Sequence, residues 1–233
     1  MKTDSIYYAH KFRNDLGLSL FEKIDIFDVL HKKENISVIF RSFSQESNFE
    51  GATFSKGPIA VILINSSKTL GRQIFTAAHE FFHLKLDHEQ NTFDVVKGKG
   101  ANTFSSHFIM PDTALIQLLT DRLSTEKRTT PDISDILYLE NYFQISHQAL
   151  ITRLTQRELV SKETLSELQE SKIIQEAKKY GYPDTLYKPT EINKTLSSYP
   201  ATARELLEQG KISHSKYESL LVEGGYFDIL MGN

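Results

Sequence analysis

Residues 79–83 read His-Glu-Phe-Phe-His, and residues of these types at this spacing can form a metal-dependent hydrolytic site. Residues four apart lie on one face of a helix, so His79 and His83 can direct their imidazole nitrogens at one point. Two imidazoles are two of the ligands that a tetrahedral zinc ion needs. Glu80 follows His79 directly and can act as the general base for a water molecule at the metal. The motif therefore predicts Zn²⁺ as a cofactor.

The helix that must position this motif is predicted from about Thr69 to Leu86. Its apolar residues follow two neighbouring helical stripes, which are Leu70, Ile74, Ala77, Phe81 and Leu84, and Phe75, Ala78 and Phe82. A helix that is apolar over most of its girth is buried. Inside such a helix the two histidines either bind a metal or, if the motif is a chance match, bond to nearby carbonyl groups. We favour the metal because the surrounding sequence suits the motif.

The composition is that of a soluble globular protein, and it restricts the other ligands of such a site. Hydrophobic residues make up 39% and charged residues 24% of the 233 residues. The chain has no cysteine, so only His, Asp, Glu or water can hold a metal, and its net charge of -3 argues against a general electrostatic grip on nucleic acid. The N-terminal residues show no apolar signal region, and the longest apolar run, residues 59–64, is too short to span a membrane. We therefore expect a cytoplasmic protein.

The rest of the chain is predicted to place the motif helix beside a small sheet and a group of helices. Strands are predicted at residues 36–40, 51–54 and 60–64, and helices at residues 5–16, 21–31, 101–110 and 161–179. Pro111 ends one helix, and Asp112 is predicted to cap the next. We expect three parts, which are residues 1–125, residues 126–160 and a helical extension over residues 161–233.

Residues 132–156 show a helix-turn-helix pattern. Helices are predicted at residues 132–143 and 146–156, with Ser146 as the N-cap of the second. Between residues 131 and 160 the charged side chains are Asp132, Asp135, Glu140 and Glu158 against Arg153 and Arg157. DNA affinity rests on Lys and Arg near phosphates, so this acidic balance favours helical packing or a protein partner over DNA.

Three sequence blocks resemble the ImmA/IrrE family of metallopeptidases. They are residues 60–65, residues 71–84 and residues 101–111, of which the last reads Ala-Asn-Thr-Phe-Ser-Ser-His-Phe-Ile-Met-Pro. The three blocks in this order are more specific than the metal helix alone, and the resemblance is strong over residues 51–111. It implies an α+β fold with a zincin-like core, a small antiparallel or mixed sheet and a mainly helical C-terminal region.

The resemblance also implies a function. Several members are cytoplasmic endopeptidases that cut a helix-turn-helix transcriptional repressor, so such a repressor is the expected substrate or binding partner of this chain. By the same resemblance, His79 and His83 are zinc ligands and Glu80 is the catalytic base. Neither a membrane nor direct DNA binding is expected.

The chain departs from the family at the third zinc ligand. In relatives this ligand is a glutamate four residues before the Asn of the Ala-Asn-x-Phe block, and here Gly98 stands at that position. Gly100 also replaces an acid that relatives often carry. Catalytic zinc sites normally have three protein ligands, so the loss of one weakens metal binding. Asp94 in the preceding loop is the best substitute, and the other candidates are Asp87, His88 and His107.

Three interpretations of this departure remain open. The chain is a working peptidase with a replacement ligand, a catalytically impaired member that binds its partner without cutting it, or a protein whose site was silenced by engineered glycines. The intact His-Glu-x-x-His motif argues against a long loss of function. We therefore favour the endopeptidase over the binding module.

Overall fold

The computed structural model describes residues 2–44, 46–86, 97–170 and 172–231, and it has the predicted α+β architecture. The helices are α1 (Lys2–Asp15), α2 (Ile26–Asp28), α3 (Leu70–Leu86), α4 (Lys97–Ile109), α5 (Asp112–Thr125), α6 (Ile133–Phe143), α7 (His147–Gln156), α8 (Lys162–Glu170), α9 (Ile173–Lys179), α10 (Tyr199–Glu208), α11 (His214–Gly224) and α12 (Phe227–Leu230). The strands are β1 (Ser37–Arg41), β2 (Gly51–Lys56), β3 (Ile59–Asn65) and β4 (Lys194–Leu196). None of the helices within the described ranges is long and apolar enough to cross a membrane.

The four strands form one mixed sheet in the order β2, β3, β1, β4. β2 and β3 form an antiparallel hairpin, and the turn between them contains Gly57 with a φ of 57°. β1 runs parallel to β3, with Val38 beside Ile62 and Phe40 beside Ile64. These four side chains alternate along their strands and are all buried. The register is therefore fixed, because a slip by one residue would turn all four to the other face of the sheet.

Helices pack beside this sheet and hold the motif helix in place. α3 packs against β2 and β3, and α4 packs against both α3 and α1. An aromatic cluster joins the three helices, with ring centroids 5.9 Å apart for Phe12 and Phe81, 5.8 Å for Phe12 and Phe104, and 5.6 Å for Phe81 and Phe108. Such ring pairs contribute about 0.5–1.5 kcal/mol each beyond the area they bury. The cluster therefore fixes the rotation of α3 against its neighbours.

Three predicted helices differ from the observed ones. The helix predicted at residues 101–110 begins four residues earlier, at Lys97. The helix predicted at residues 21–31 begins only at Ile26, because the Asp25 side chain accepts hydrogen bonds from the N–H groups of Phe27 and Asp28 and so caps it there. It continues as a π-helical turn over Val29–Lys33. The helix predicted at residues 161–179 is two helices, α8 and α9, and Lys172 between them has a non-helical ψ of 73°.

The predicted N-cap role of Asp112 is also wrong. Pro111 occupies the N-cap position of α5, and no side chain caps this helix by a hydrogen bond. The Asp112 carboxylate instead accepts a hydrogen bond of 3.2 Å from Arg153 on α7. A buried guanidinium competes for the carboxylate more strongly than a backbone N–H group does.

The segment after α9 contributes to the sheet although it lies far along the chain. β4 pairs with β1 in antiparallel fashion and forms the edge of the sheet. Just before it, the carbonyl of Lys188 accepts a hydrogen bond of 2.9 Å from the N–H of Leu70, and the carbonyl of Ser66 accepts one from Thr190. The division into three parts at residues 125 and 160 stays a prediction. The last of those parts supplies an edge strand to the first.

Candidate functional site

α3 brings His79 and His83 together. Their Nε2 atoms lie 3.1 Å apart, and their ring centroids lie 4.8 Å apart. Two nitrogen ligands at about 2.0–2.1 Å from a tetrahedral zinc ion are about 3.3 Å from each other. The two imidazoles therefore have the separation of two ligands of one metal ion.

Asn102 on α4 orients the first of these histidines. Its Oδ1 accepts a hydrogen bond of 2.9 Å from Nδ1 of His79, which leaves Nε2 as the unprotonated nitrogen on the side of His83. Metal-binding histidines commonly donate their other ring N–H in this way. Burial, and then the neighbouring His83, lower the pKa of His79, so its ring stays in the neutral form that binds metals. Sequence reasoning missed Asn102, although it lies in the third sequence block.

Glu80 follows His79 on α3. It is 9% exposed, and both residues line one cleft. Burial raises the pKa of its carboxyl group, and the nearby His83 lowers it to a smaller extent. Gly51 at the start of β2 faces this side chain. A Cβ atom at Gly51 would lie 3.2 Å from Cγ of Glu80 and 2.5 Å from Cγ2 of Thr76. Glycine at this position therefore allows the strand to approach α3 beside the carboxylate.

A third metal ligand is not found among the described residues. Within residues 2–44, 46–86, 97–170 and 172–231, no group of three His, Cys, Asp or Glu side chains could hold a metal. Gly98 lies in α4 one turn before Asn102, and residues four apart share a helix face. Position 98 is therefore on the face of α4 from which Asn102 reaches His79. The remaining candidates Asp87, His88 and Asp94 lie outside the described residues, so their roles stay predictions.

His107, another of the candidate third ligands, is a buried residue of α4. It is 4% exposed, and Nη1 of Arg153 donates a hydrogen bond of 3.0 Å to its Nδ1. Burial, followed by the charge of Arg153, lowers the pKa of His107 to about 3. His107 lines the cleft as a neutral acceptor for Arg153. It does not join His79 and His83 in a three-ligand group.

His79, Glu80 and Asn102 line one cleft of about 540 Å³, together with His107 and Arg153. α3 forms one wall with His79 and Glu80, the start of β2 forms a second, and α7 forms a third that includes Gln148 and Thr152. β2 is the outermost strand of the described sheet on this side. The volume lies within the range of about 300–1,000 Å³ that is typical of ligand sites. A short stretch of extended peptide fits such a space.

The third wall stands close to the metal helix because of Gly71. A Cβ atom at Gly71 would lie 2.9 Å from the backbone nitrogen of Ser146, which precedes α7. As predicted, Ser146 is the N-cap of α7, and its Oγ accepts a hydrogen bond of 3.4 Å from the N–H of Ala149. The missing side chain therefore lets the turn between α6 and α7 rest on the first turn of α3.

The comparison of this sequence with protein families agrees with the geometry. The profile of the IrrE N-terminal-like domain, a family of metallopeptidases, matches residues 31–155, more than half of the chain. The matched region contains α3, α4 and all of α7 except Gln156, and with them the walls of the cleft up to that residue. No curated protein matches the sequence. The extent of the family match shows that the chain belongs to the IrrE N-terminal-like family of metallopeptidases.

Proposed function

We propose that this protein is a zinc-dependent endopeptidase in which His79 and His83 hold the zinc ion and Glu80 is the general base. The distance of 3.1 Å between the two Nε2 atoms carries the proposal, because two imidazole nitrogens this close together are suited to a shared metal ion, and His79 lines the open cleft. Zinc, when bound, polarises the carbonyl of the scissile peptide bond and lowers the pKa of a water molecule.

The residues of the chain supply the remaining steps. Glu80 takes a proton from the attacking water and returns it to the nitrogen of the leaving amine. Because burial raises the pKa of Glu80, its carboxyl group is better matched to both proton transfers near neutral pH. The outer edge of β2 is suited to hold the substrate, because an extended peptide can add to a sheet edge through main-chain hydrogen bonds.

The proposed substrate is a helix-turn-helix transcriptional repressor, and the proposed place of action is the cytoplasm, where such a repressor meets DNA. Membership of the family supports this substrate. The position of Arg153 on α7 supports a protein partner over DNA, because this guanidinium is 2% exposed and already donates to Asp112. A buried and paired arginine is poorly placed to neutralise a phosphate.

The third ligand separates two candidate functions. We propose Asp94 as the ligand that completes a working site. Gly98 favours the second candidate, which is binding of the repressor without cleavage, because glycine offers no side-chain oxygen to zinc. The two candidates differ in whether the protein binds zinc stoichiometrically and whether it cuts its partner.

The experiment that tests the proposed function uses the full chain and the helix-turn-helix regulators encoded near its gene. The purified protein is loaded with zinc and incubated with each regulator, and mass spectrometry detects the fragments. Glu80→Gln should lower cleavage at least about 100-fold, because it removes the base. The metal content of Glu80→Gln should stay near that of the unmodified chain, while His79→Ala should lose the zinc.

The outcomes of this experiment test the role of Glu80, separate the two candidate functions and test the proposed partner. Cleavage by Glu80→Gln at the normal rate would contradict the role of Glu80. A repressor that binds but stays intact, together with a protein that takes up no zinc at micromolar concentration, would favour the binding module. Failure to bind any regulator would reject the proposed partner.

A further inference from the structure

α7 has one buried half and one half that faces the cleft. Leu150, Ile151 and Leu154 are buried in the core. Three residues of α7 are exposed and line the cleft, and they recur every four positions. They are Gln148, Thr152 and Gln156. Residues at this spacing share one helix face. We call these three residues the α7 stripe.

The α7 stripe lines the same cleft as His79 and Glu80. A peptide whose scissile bond lies at Glu80 can therefore continue past this stripe, between α7 and the start of β2. The three side chains carry no charge. Each glutamine side chain has two N–H donors and a carbonyl acceptor, while the Thr152 hydroxyl donates to the carbonyl of Gln148 and offers its oxygen as an acceptor. Such groups match backbone amides and uncharged polar side chains better than they match ions.

α7 is held rigidly enough to select among peptides. Nη2 of Arg153 donates a hydrogen bond of 3.2 Å to the carbonyl of Met110. His147 lies between two acceptors, the Oε1 atom of Glu140 at 2.5 Å and the carbonyl of Leu168 at 3.0 Å. Groups on a fixed helix lose less freedom on binding than groups on a loop, so their hydrogen bonds contribute more to affinity.

We propose that the α7 stripe is a specificity-determining wall of the cleft, which hydrogen-bonds the backbone and the uncharged polar side chains of an extended peptide substrate. This inference rests on the proposed function, since that function places a peptide in the cleft. It goes further by assigning recognition to three residues of α7 and by naming the chemistry that they select.

The position of α7 in the fold supports a peptide over DNA as the occupant. In DNA-binding helix-turn-helix proteins, residues near the start of the second helix contact the bases. Here Gln148 and Ala149, near the start of α7, face the peptidase cleft instead. The stripe also contains no Lys or Arg for contacts with phosphates or guanine.

The test measures peptide binding, so it does not depend on cleavage. A phage-displayed library of random peptides is selected on the full-length Glu80→Gln protein in the presence of zinc. The enriched peptides are synthesised with a fluorophore and titrated by fluorescence anisotropy. The same titrations use Thr152→Ala and the double substitution Gln148→Ala with Gln156→Ala, each in the Glu80→Gln background.

Thr155→Ala is the matched control. Thr152 and Thr155 are both exposed residues of α7. Oγ1 of Thr152 donates to the carbonyl of Gln148 at 2.6 Å, and Oγ1 of Thr155 donates to the carbonyl of Ile151 at 2.8 Å. Only Thr152 of the two lines the cleft. Equal effects on helix stability are therefore expected, while effects on peptide binding should differ.

We expect the double substitution to weaken binding of the enriched peptides about tenfold, which corresponds to the loss of one or two hydrogen bonds. Thr152→Ala should weaken binding to a smaller extent, and Thr155→Ala should leave it unchanged. Equal Kd values for all variants with unchanged Tm, the absence of any enriched peptide, or displacement of the peptide by duplex DNA would overturn the proposal. Failure of the proposed function would show separately, as missing zinc uptake or missing cleavage.

Discussion

At the scale of single residues, Asn102 decides which nitrogen of His79 is available to a metal. The amide oxygen accepts the Nδ1 proton and holds the ring with Nε2 on the side of His83. We predict that Asn102→Ala lowers the affinity for zinc about 10–100-fold, as the loss of such orienting partners typically does. Zinc titration against a competing chelator measures the change. Asn102→Asp keeps an acceptor at this place and should retain most of the affinity; equal losses in both variants would contradict the explanation.

Gly98 is the second position at which a single substitution should change metal binding. Position 98 lies on the face of α4 that carries Asn102, one turn earlier. We predict that Gly98→Glu raises zinc affinity at least tenfold, or about 1.4 kcal/mol. Peptidase activity should rise with it when a substrate is present. The same chelator competition gives the affinity.

Gly100→Glu is the control for that substitution, since it adds the same charge to the same helix. A Cβ atom at Gly100 would lie 3.2 Å from Oγ of Ser5 on α1 and 3.6 Å from Cζ of Phe82 on α3, with no atom of His79 or His83 within 4 Å. Its zinc affinity should stay close to that of the unmodified chain. Equal affinities in all three proteins would mean that another residue already completes the site.

The sequence predicted the parts of the site that depend on local geometry. His79 and His83 meet because a helix repeats every 3.6 residues, and that period is visible in the chain itself. Asn102 and the burial of His107 depend on how α4 packs against α3 and α7, which no local pattern reveals. The third ligand stays a prediction, since Asp94 lies outside the described residues.

At the scale of elements, the contact between α3 and the start of α7 depends on Gly71. A methyl group there would meet the backbone of Ser146 at 2.9 Å, and a backbone cannot rotate away as a side chain can. We predict that Gly71→Ala lowers the free energy of unfolding by about 1–3 kcal/mol through overpacking. It should also move α7 away from the cleft. Chemical denaturation measures the stability change.

Gly100→Ala provides the comparison for Gly71→Ala, because both glycines lie in the first turns of helices. The nearest atom to the added methyl group would be the flexible Oγ of Ser5 at 3.2 Å. Alanine also favours the helix by up to about 1 kcal/mol over glycine. Gly100→Ala should therefore be neutral or stabilising. If both substitutions destabilised the protein equally, the close approach at Gly71 would not be the cause.

Element boundaries show why local patterns gave only part of the fold. The helix predicted over residues 161–179 has suitable periodicity throughout, yet it is interrupted before α9. The carbonyl of Leu168 near the end of α8 accepts a hydrogen bond from Nε2 of His147 on α7. This bond is tertiary, so the end of α8 depends on a partner that helical periodicity does not reveal. By contrast, the cap at Ser146 depends on neighbouring residues and was predicted correctly.

At the scale of the whole molecule, the last fifty residues lie outside the family match, which covers residues 31–155. They nevertheless supply β4, which pairs with β1 inside the matched region. A chain that ends at residue 183 loses β4, the Lys188 carbonyl that accepts from the N–H of Leu70, and the Thr190 N–H that donates to the carbonyl of Ser66. At about 0.5–1.5 kcal/mol for each hydrogen bond, we predict a loss of at least about 3 kcal/mol. For a protein of this size, Tm should fall by about 6–12 °C, which differential scanning calorimetry can measure.

A chain that ends at residue 198 is the control, since it removes α10 to α12 and keeps β4. Its loss of stability should be less than half of that of the shorter chain. Equal losses would mean that the C-terminal helices, and not the strand, stabilise the protein. This strand pairing was absent from the sequence expectations because it joins residues more than 150 positions apart, such as Phe40 and Lys194.

The two edge strands of the sheet differ in length, and this difference bears on how copies of the protein could pair. β2 and β4 are the two edge strands, and β2 with its six residues offers a longer edge to a further strand than the three residues of β4. Phe54 in β2 and Ile59 at the start of β3 are 60% and 59% exposed. A margin that can pair with a substrate can also pair with the β2 of another copy. If β2 holds the substrate as proposed, a second copy paired at this edge would occupy the place of the substrate, and cleavage per molecule would fall as the protein concentration rises.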